Sequence, residues 1–296
     1  MRTLYLIDAS IYVFRAYFTL PDSMQDKQGW PVNAVYGYAT FLCQLIERVN
    51  PAYIAVAFDG SLRSSFRNKI YSAYKANRDE APDELKRQFK RCQQITEAMG
   101  IRCYKSNQYE ADDIIGCLSY QLRKSDFKMV YVTSDKDIAQ LMKSRDVFWD
   151  YAKDKKYKVA DVKQAFGVKA NQMIDLLALA GDSADNIPGV PGVGKKTAIA
   201  LLENFSSFRK LYENIDSVCD VKMRGAARVQ SLLIEHEEQA RISYQLATIV
   251  CNAKFDSGVR KLKRQQIDGK KLKGLCTRLN FGERLRRRFE ALEINC

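Results

Sequence analysis

A single histidine, His236, stands in 296 residues, and no two of the eight cysteines (43, 92, 103, 117, 219, 251, 276 and 296) have C-x-x-C spacing. Zinc sites of the common kinds draw on clustered Cys and His, so this scarcity argues against them. It also argues against a histidine base unless His236 alone serves. The setting Ile-Glu-His-Glu-Glu reads instead as an exposed helix with a structural role. Scattered cysteines suit a reducing cytoplasm, where several are simply buried. No apolar run approaches the ~18 residues that span a bilayer. Asp8 interrupts the apolar start Leu4-Tyr-Leu-Ile, which argues against a signal peptide and for a first strand. A cytoplasmic monomer without membrane contact is expected.

Charge balance is missing as well. The formal net charge is +13, and it is clustered. Between Lys254 and Arg288 stand thirteen Lys/Arg against three Asp/Glu; between Arg63 and Arg91, nine against four. Two basic segments beside a carboxylate cluster suggest a polyanion partner held near a metal.

Leu4-Tyr-Leu-Ile-Asp8, Tyr53-Ile-Ala-Val-Ala-Phe-Asp59 and Met129-Val-Tyr-Val-Thr-Ser-Asp135-Lys-Asp137 each read as an apolar strand delivering Asp at its end. Val35–Val49 reads as a helix between the first two, and Tyr109-Glu-Ala-Asp-Asp-Ile-Ile-Gly116 as a helix start, where carboxylates meet unpaired N–H groups. Alternating strands and helices predict an α/β fold: a mostly parallel central sheet flanked by helices. Sites in such sheets lie outside the carboxyl ends of the strands. Asp8, Asp59, Glu110, Asp112, Asp113, Asp135 and Asp137 would then surround one crevice. Adjacent carboxylates repel unless a cation lies between them, and hard divalent ions prefer oxygen ligands. Asp113 has a second reading, as a group that orients a metal-bound water. Val147-Phe-Trp-Asp150 also ends in Asp; the charged turn after it assigns Asp150 to structure.

Residues 61–91 form a basic, aromatic excursion in which Arg63, Arg67, Lys69, Lys75 and Arg78 alternate with Phe66, Tyr71 and Tyr74. Such groups neutralise phosphates and stack on bases of a single strand; the plainer reading is a solvated helical hairpin whose tyrosines pack on its own partner. Further on, a helix over Asn171–Leu179 runs into a glycine-rich stretch. Gly189-Val-Pro-Gly-Val-Gly194-Lys195 resembles a P-loop, but Lys196 replaces the required Ser or Thr and no buried strand precedes it. A helix–hairpin–helix element fits better: Gly192 and Gly194 expose backbone N–H groups at a helix start, which grip a phosphate, and Lys195 and Lys196 add charge. Helices are expected onward to about Thr248, one of them over Arg228–Leu246, and again near Gly282–Leu292.

Taken together, Leu6-Ile-Asp8-Ala-Ser, Phe58-Asp59, Tyr74-Lys-Ala-Asn-Arg78, Glu110-Ala-Asp-Asp113, Thr133-Ser-Asp-Lys-Asp137 and Gly181-Asp-Ser-Ala-Asp-Asn-Ile-Pro-Gly-Val-Pro-Gly-Val-Gly194 resemble the 5′ nucleases. That family includes the N-terminal nuclease domain of bacterial DNA polymerase I, the phage 5′-exonucleases and the flap endonucleases. The resemblance covers nearly the whole chain, and no polymerase portion follows, which reads as a stand-alone member or a fragment. It implies a PIN-like nuclease domain over residues 1–168 with a helical arch at about 62–92. A helix–hairpin–helix subdomain would follow over 169–260, then a basic helical tail over 261–296. It implies a first metal site of Asp8, Asp59, Glu110, Asp112 and Asp135 with Asp113 beside them, and a second of Asp135, Asp137, Asp182 and Asp185. Mg²⁺ is the expected ion, with Mn²⁺ as a substitute. Lys75 and Arg78 match basic residues at the base of the arch, with Tyr74 beside them, and Arg67 joins the DNA-binding set. K⁺ is implied at the carbonyls of Leu179, Ala180, Pro188, Val190 and Val193. The implied activity is two-metal hydrolysis of DNA phosphodiesters near a 5′ end, at a 5′ flap or duplex junction, in the bacterial nucleoid. A junction-binding member with little cleavage and an RNA-directed nuclease of related fold remain alternatives.

Overall fold

Alternate side chains along the strands of a single sheet enter two different cores. The computed structural model describes residues 2–60 and 64–294; Arg63 and Cys296, named above, lie outside them. The strands are β1 (Arg2–Asp8), β2 (Tyr53–Phe58), β3 (Arg102–Lys105), β4 (Phe127–Val132), β5 (Val147–Asp150) and β6 (Lys155–Lys158), in the order β3-β2-β1-β4-β5-β6. All pairs are parallel except β5 with β6. Leu4, Leu6, Ala57 and Tyr131 face one core while Ile7, Val56, Phe58 and Val132 face the other, the period of two that a strand imposes.

Helices α1 (Ala9–Thr19), α2 (Asn33–Val49), α3 (Phe66–Ile70), α4 (Asp83–Ala98) and α5 (Ala111–Leu122) connect the first four strands. After β6 come α6 (Val159–Phe166), α7 (Met173–Ala180), α8 (Lys195–Phe205), α9 (Phe208–Glu213), α10 (Ala226–Glu235) and α11 (Glu237–Ala247), then α12 (Val259–Leu262), α13 (Gly269–Arg278) and α14 (Glu283–Ile294). Residues from α1, α2 and α4 share one core with α13 and α14; residues from α5 share the other with α6 to α11. No helix among the described residues is long and apolar enough to cross a membrane.

The structure departs from the sequence reading in several places. Strand β3 is an edge of four residues in which only Tyr104 is buried, too little apolar pattern to mark it. The charged turn expected after Asp150 spans 151–154, but Lys155 and Lys156, expected as part of it, already belong to β6; charge on an edge strand discourages further pairing, so β6 carries no apolar signature either. The helix expected over Arg228–Leu246 is two helices, with half-buried His236 at the break between α10 and α11.

The second basic segment does not lie beside the carboxylates. Arg264 N–H donates to the Ala52 carbonyl, just before β2, and Gln265 N–H to Gly100, just before β3. Arg288 pairs with Glu47 near the end of α2. This places the segment at the amino ends of the strands, opposite the crevice. Its apolar positions, Leu272, Leu275, Leu285 and Phe289 among them, are core rather than a solvated tail.

Candidate active site

Three neighbouring strands, β2, β1 and β4, aim their carboxyl ends at one place. Asp8 ends β1, Asp59 follows β2 directly, and Asp135 stands three residues past β4. The chain reverses its strand order between β1 and β4, the switch point at which parallel sheets open a crevice. Each carboxylate is held by local structure. Asp8 caps α1 and accepts from Ser10 N–H at 3.1 Å and from the Thr133 hydroxyl at 3.2 Å. Asp59 accepts from Ala111 N–H at 2.8 Å, which ties β2 to the first turn of α5. Asp135 accepts from Asp137 N–H at 2.9 Å. A cavity of about 410 Å³ lies over Asp8, Asp59, Glu110, Asp112, Asp135 and Asp185. A second, of about 530 Å³, adjoins it across Lys75 and Glu110.

The far side comes from the loop between α7 and α8. Asp182 and Ile187 exchange backbone hydrogen bonds at 2.9 and 2.8 Å, closing a turn that presents Asp182 and Asp185. Cations meet these acids. Lys136 donates to Asp182 at 2.8 Å, Arg78 pairs with Asp185, and Lys75 Nζ lies 2.6 Å from Glu110 and 3.6 Å from Asp185. Lys75 holds its backbone at φ +54°, the left-handed region that costs a side-chain-bearing residue ~1–2 kcal/mol, and its N–H donates to the Asp185 carbonyl. Strain of this kind gathers where side chains must be aimed.

Beyond the loop, Gly189 and Gly192 take positive φ, and Gly192, Gly194, Lys195 and Lys196 are exposed at the start of α8. The Leu179 and Val190 carbonyls accept from Val190 and Val193 N–H groups.

Three expected site residues are elsewhere engaged. Asp113 is fully buried, and both its oxygens are committed: to Arg67 at 2.7 and 2.8 Å, to Val250 N–H at 2.9 Å and to Glu110 N–H at 3.1 Å. Helical geometry turns it about 100° from Asp112, away from the crevice, so it is no metal ligand. Arg67 is buried too; besides Asp113 it donates to the carbonyls of Leu246 and Thr248. No DNA reaches it. Tyr74 is buried, with its hydroxyl 3.2 Å from both Glu110 and Asp185, so its ring is no stacking platform. The tyrosine that looked ready to stack packs on its own surroundings.

The electrostatics separate the acids into two kinds. Burial, then the charges of Asp59 and Asp135, push Asp8 up to about 8. Burial and Asp135 push Asp137 up to about 8 against the pull of Lys136. Burial, Asp135, Asp8 and Asp59 drive Asp112 well above the carboxylate range. Burial also acts on Glu110, but Lys75 and Arg67 outweigh it and leave that carboxyl below its ordinary value. Asp137 Oδ1 is buried without a hydrogen-bond partner. A crowd of hard oxygen donors that repel one another, one of them orphaned, fits a divalent cation. Among the described residues no three of these groups close on a single point; Lys75, Lys136 and Arg78 draw Glu110, Asp182 and Asp185 toward themselves.

The model of the 5′-3′ exonuclease N-terminal resolvase-like domain matches residues 3–167, and that of the 5′-3′ exonuclease C-terminal SAM fold matches 168–270. The chain belongs to the 5′-3′ exonuclease family. It is 32% identical over 283 residues to a 5′-3′ exonuclease of Buchnera aphidicola, covering 95% of this chain and 98% of that protein. It is 37% identical over 290 residues to DNA polymerase I of Bacillus subtilis, covering 97% of this chain and 32% of that one, so it spans about a third of such a polymerase. Its fold is similar to that of the bacteriophage T5 flap endonuclease, solved as a pseudo-enzyme–product complex with DNA and metal ions, at a TM-score of 0.66 and 18% identity over 98% of both chains.

In this chain of the 5′-3′ exonuclease family, further residues serve the site. Lys136 sits between the two acids of Asp135-Lys-Asp137, and only the approach of Asp182 gives it a partner. Ser10 and Thr133 fix Asp59 and Asp8. Both belong to the motifs quoted above, and a short polar residue beside a strand-end Asp is the signal that marks them.

Proposed function

We propose that this chain is a metal-dependent 5′ nuclease that hydrolyses DNA phosphodiester bonds near 5′ ends, at a single-strand–duplex junction. The supporting observation is the set of carboxylates from the ends of β1, β2 and β4, whose mutual repulsion calls for cations. Asp8, Asp59, Glu110, Asp112 and Asp135 would hold one Mg²⁺, and Asp135, Asp137, Asp182 and Asp185 a second. When bound, such ions supply Lewis-acid charge to a phosphodiester under attack by water. Lys75 and Arg78 stand at the crevice mouth, where their charge offsets that of the phosphate. The exposed N–H groups of Gly192 and Gly194, with Lys195 and Lys196, hold a duplex backbone and fix its distance from the crevice. K⁺ at the carbonyls of Leu179, Ala180, Pro188, Val190 and Val193 would brace that hairpin.

The deciding experiment is cleavage of a 5′-flap DNA with Mg²⁺, beside binding of the same DNA in EDTA. Cutting that requires Mg²⁺ is expected; tight binding without cutting would favour a junction-binding protein. The Lys75→Ala variant should lose about 10²-fold in turnover with little change in affinity. Equal losses in both would reduce Lys75 to a binding residue.

A further inference from the structure

Trp30 is an indole that neither core uses. It is 41% exposed and belongs to neither hydrophobic cluster, whereas the other tryptophan, Trp149, is fully buried. Its loop is closed and braced. Asp26 N–H donates to the Trp30 carbonyl at 2.9 Å, and Val32 N–H to Met24 at 2.8 Å. One carboxylate oxygen of Asp26 accepts from both Gln28 and Trp30 N–H groups. The chain thus spends four hydrogen bonds on presenting a large aromatic ring to solvent.

The ring stands at the edge of a hollow of about 300 Å³ between the loop and α4. Buried Val32, Val35 and Leu279 line it as apolar groups. Three cations line it from α4: Arg87, Lys90 and Arg91. The one acid there is Asp26, already engaged by its own loop. The Arg87 guanidinium lies 3.8 Å over the indole. An aromatic ring under a planar cation, beside apolar surface and positive charge, matches a nucleobase and its phosphates: bases stack on indole and guanidinium planes, and cations neutralise the backbone. An acidic peptide would use the charge but bring no planar group to stack on the indole and guanidinium.

Position supplies the rest. Lys86 and Phe89 of α4 line the 530 Å³ cavity that adjoins the carboxylates, while Arg87, Lys90 and Arg91 line the Trp30 hollow. Successive residues of one helix therefore line both cavities. We propose that the Trp30–Arg87 hollow binds a base of single-stranded DNA, namely the 5′ strand after it has passed the carboxylates. This rests on the nuclease reading for the identity of the strand, but the hollow's chemistry stands apart from it.

Tryptophan fluorescence tests the site directly, since Trp30 is the exposed indole of two. Oligo-dT added to the full chain in EDTA should quench the emission. An abasic oligonucleotide of equal length and poly-glutamate should not. The Trp30→Leu variant should lose the quench, and a Lys90→Glu/Arg91→Glu variant, which keeps the indole, should need about tenfold more oligo-dT. Binding of 5′-flap DNA is measured in parallel: affinity should rise about tenfold from a short to a long flap, and Trp30→Leu should remove that increment. Absence of quenching, or equal quenching by the abasic strand or poly-glutamate, overturns the proposal. Should the wild-type chain cut flap DNA yet give no quench, the hollow fails and the nuclease reading stands. Quenching without cutting supports the hollow and removes the nuclease.

Discussion

Asp112 and Asp113 are neighbours on the first turn of one helix, and they belong to opposite kinds of interior. Asp113 has a counter-charge: Arg67 meets both its oxygens, and two backbone N–H groups complete the set. Asp112 has company of its own sign in Asp8, Asp59 and Asp135, and its carboxyl is driven well above the ordinary range. The first region is finished as folded and joins α3, α5 and the segment after α11. The second stores repulsion that only something positive from outside relieves. Burial alone therefore does not mark a functional acid; burial without a partner does.

The largest effects should come from substituting each neighbour by its amide. Asp112→Asn, like Asp135→Asn, removes a proposed ligand and should lower Mg²⁺-dependent cleavage by about 10³-fold or more. The metal-free fold should gain or keep stability, because a repelling charge has gone. Asp113→Asn should leave the buried Arg67 with only the more distant Glu110, 4.0 Å away, as counter-charge, at about 3 kcal/mol, with melting lower by roughly 10 °C. Cleavage kinetics and thermal melts in EDTA separate the two. Loss of stability in Asp112→Asn, or unchanged melting in Asp113→Asn, would erase the distinction.

The same contrast explains how much could be read from residues alone. Strands ending in Asp8, Asp59 and Asp135 were legible because an apolar run stopped by a carboxylate is a local pattern, and so was the acidic start of α5. What escaped was long-range pairing. Nothing near Asp113 announces Arg67, 46 residues away, and Arg67 shares its interleaved basic and aromatic setting with exposed neighbours. Tyr74 was misplaced for the same reason. The C-terminal basic segment was placed at the crevice by charge alone, whereas its buried leucines dock it on α2 and α4 at the other end of the sheet. Strands β3 and β6 lacked the apolar content that marks a strand from within.

A smaller effect follows from proton linkage. Asp8 and Asp137 stand at about 8 in the fold, against ~4 in an unfolded chain. The folded state thus binds more protons between these values. Their contribution is fully present below about pH 4, declines as pH rises toward 8, and is flat above. Mg²⁺ needs the ionised carboxylates, so its stabilisation should grow over the same window. Melting from pH 5 to 9, in EDTA and in Mg²⁺, should give curves that diverge as pH rises. Parallel curves would mean that the crevice acids do not hold the ion.

The finest test lies at Lys75, whose ammonium reaches Glu110 while its backbone sits at φ +54°. Lys75→Ala and Lys75→Gly remove the same charge and should cost the same turnover. They differ in the backbone. Alanine keeps a Cβ in the left-handed region, which costs ~1–2 kcal/mol; glycine escapes that but releases an unfolded chain with more freedom, worth ~0.4–1 kcal/mol against it. The balance favours glycine by about 1 kcal/mol, a few degrees in melting temperature. Equal melting of the two variants would mean that residue 75 leaves the left-handed region once its ion pair is gone. The pair with Glu110, rather than the Asp185 carbonyl that its N–H meets, would then be what holds the strained turn against the crevice.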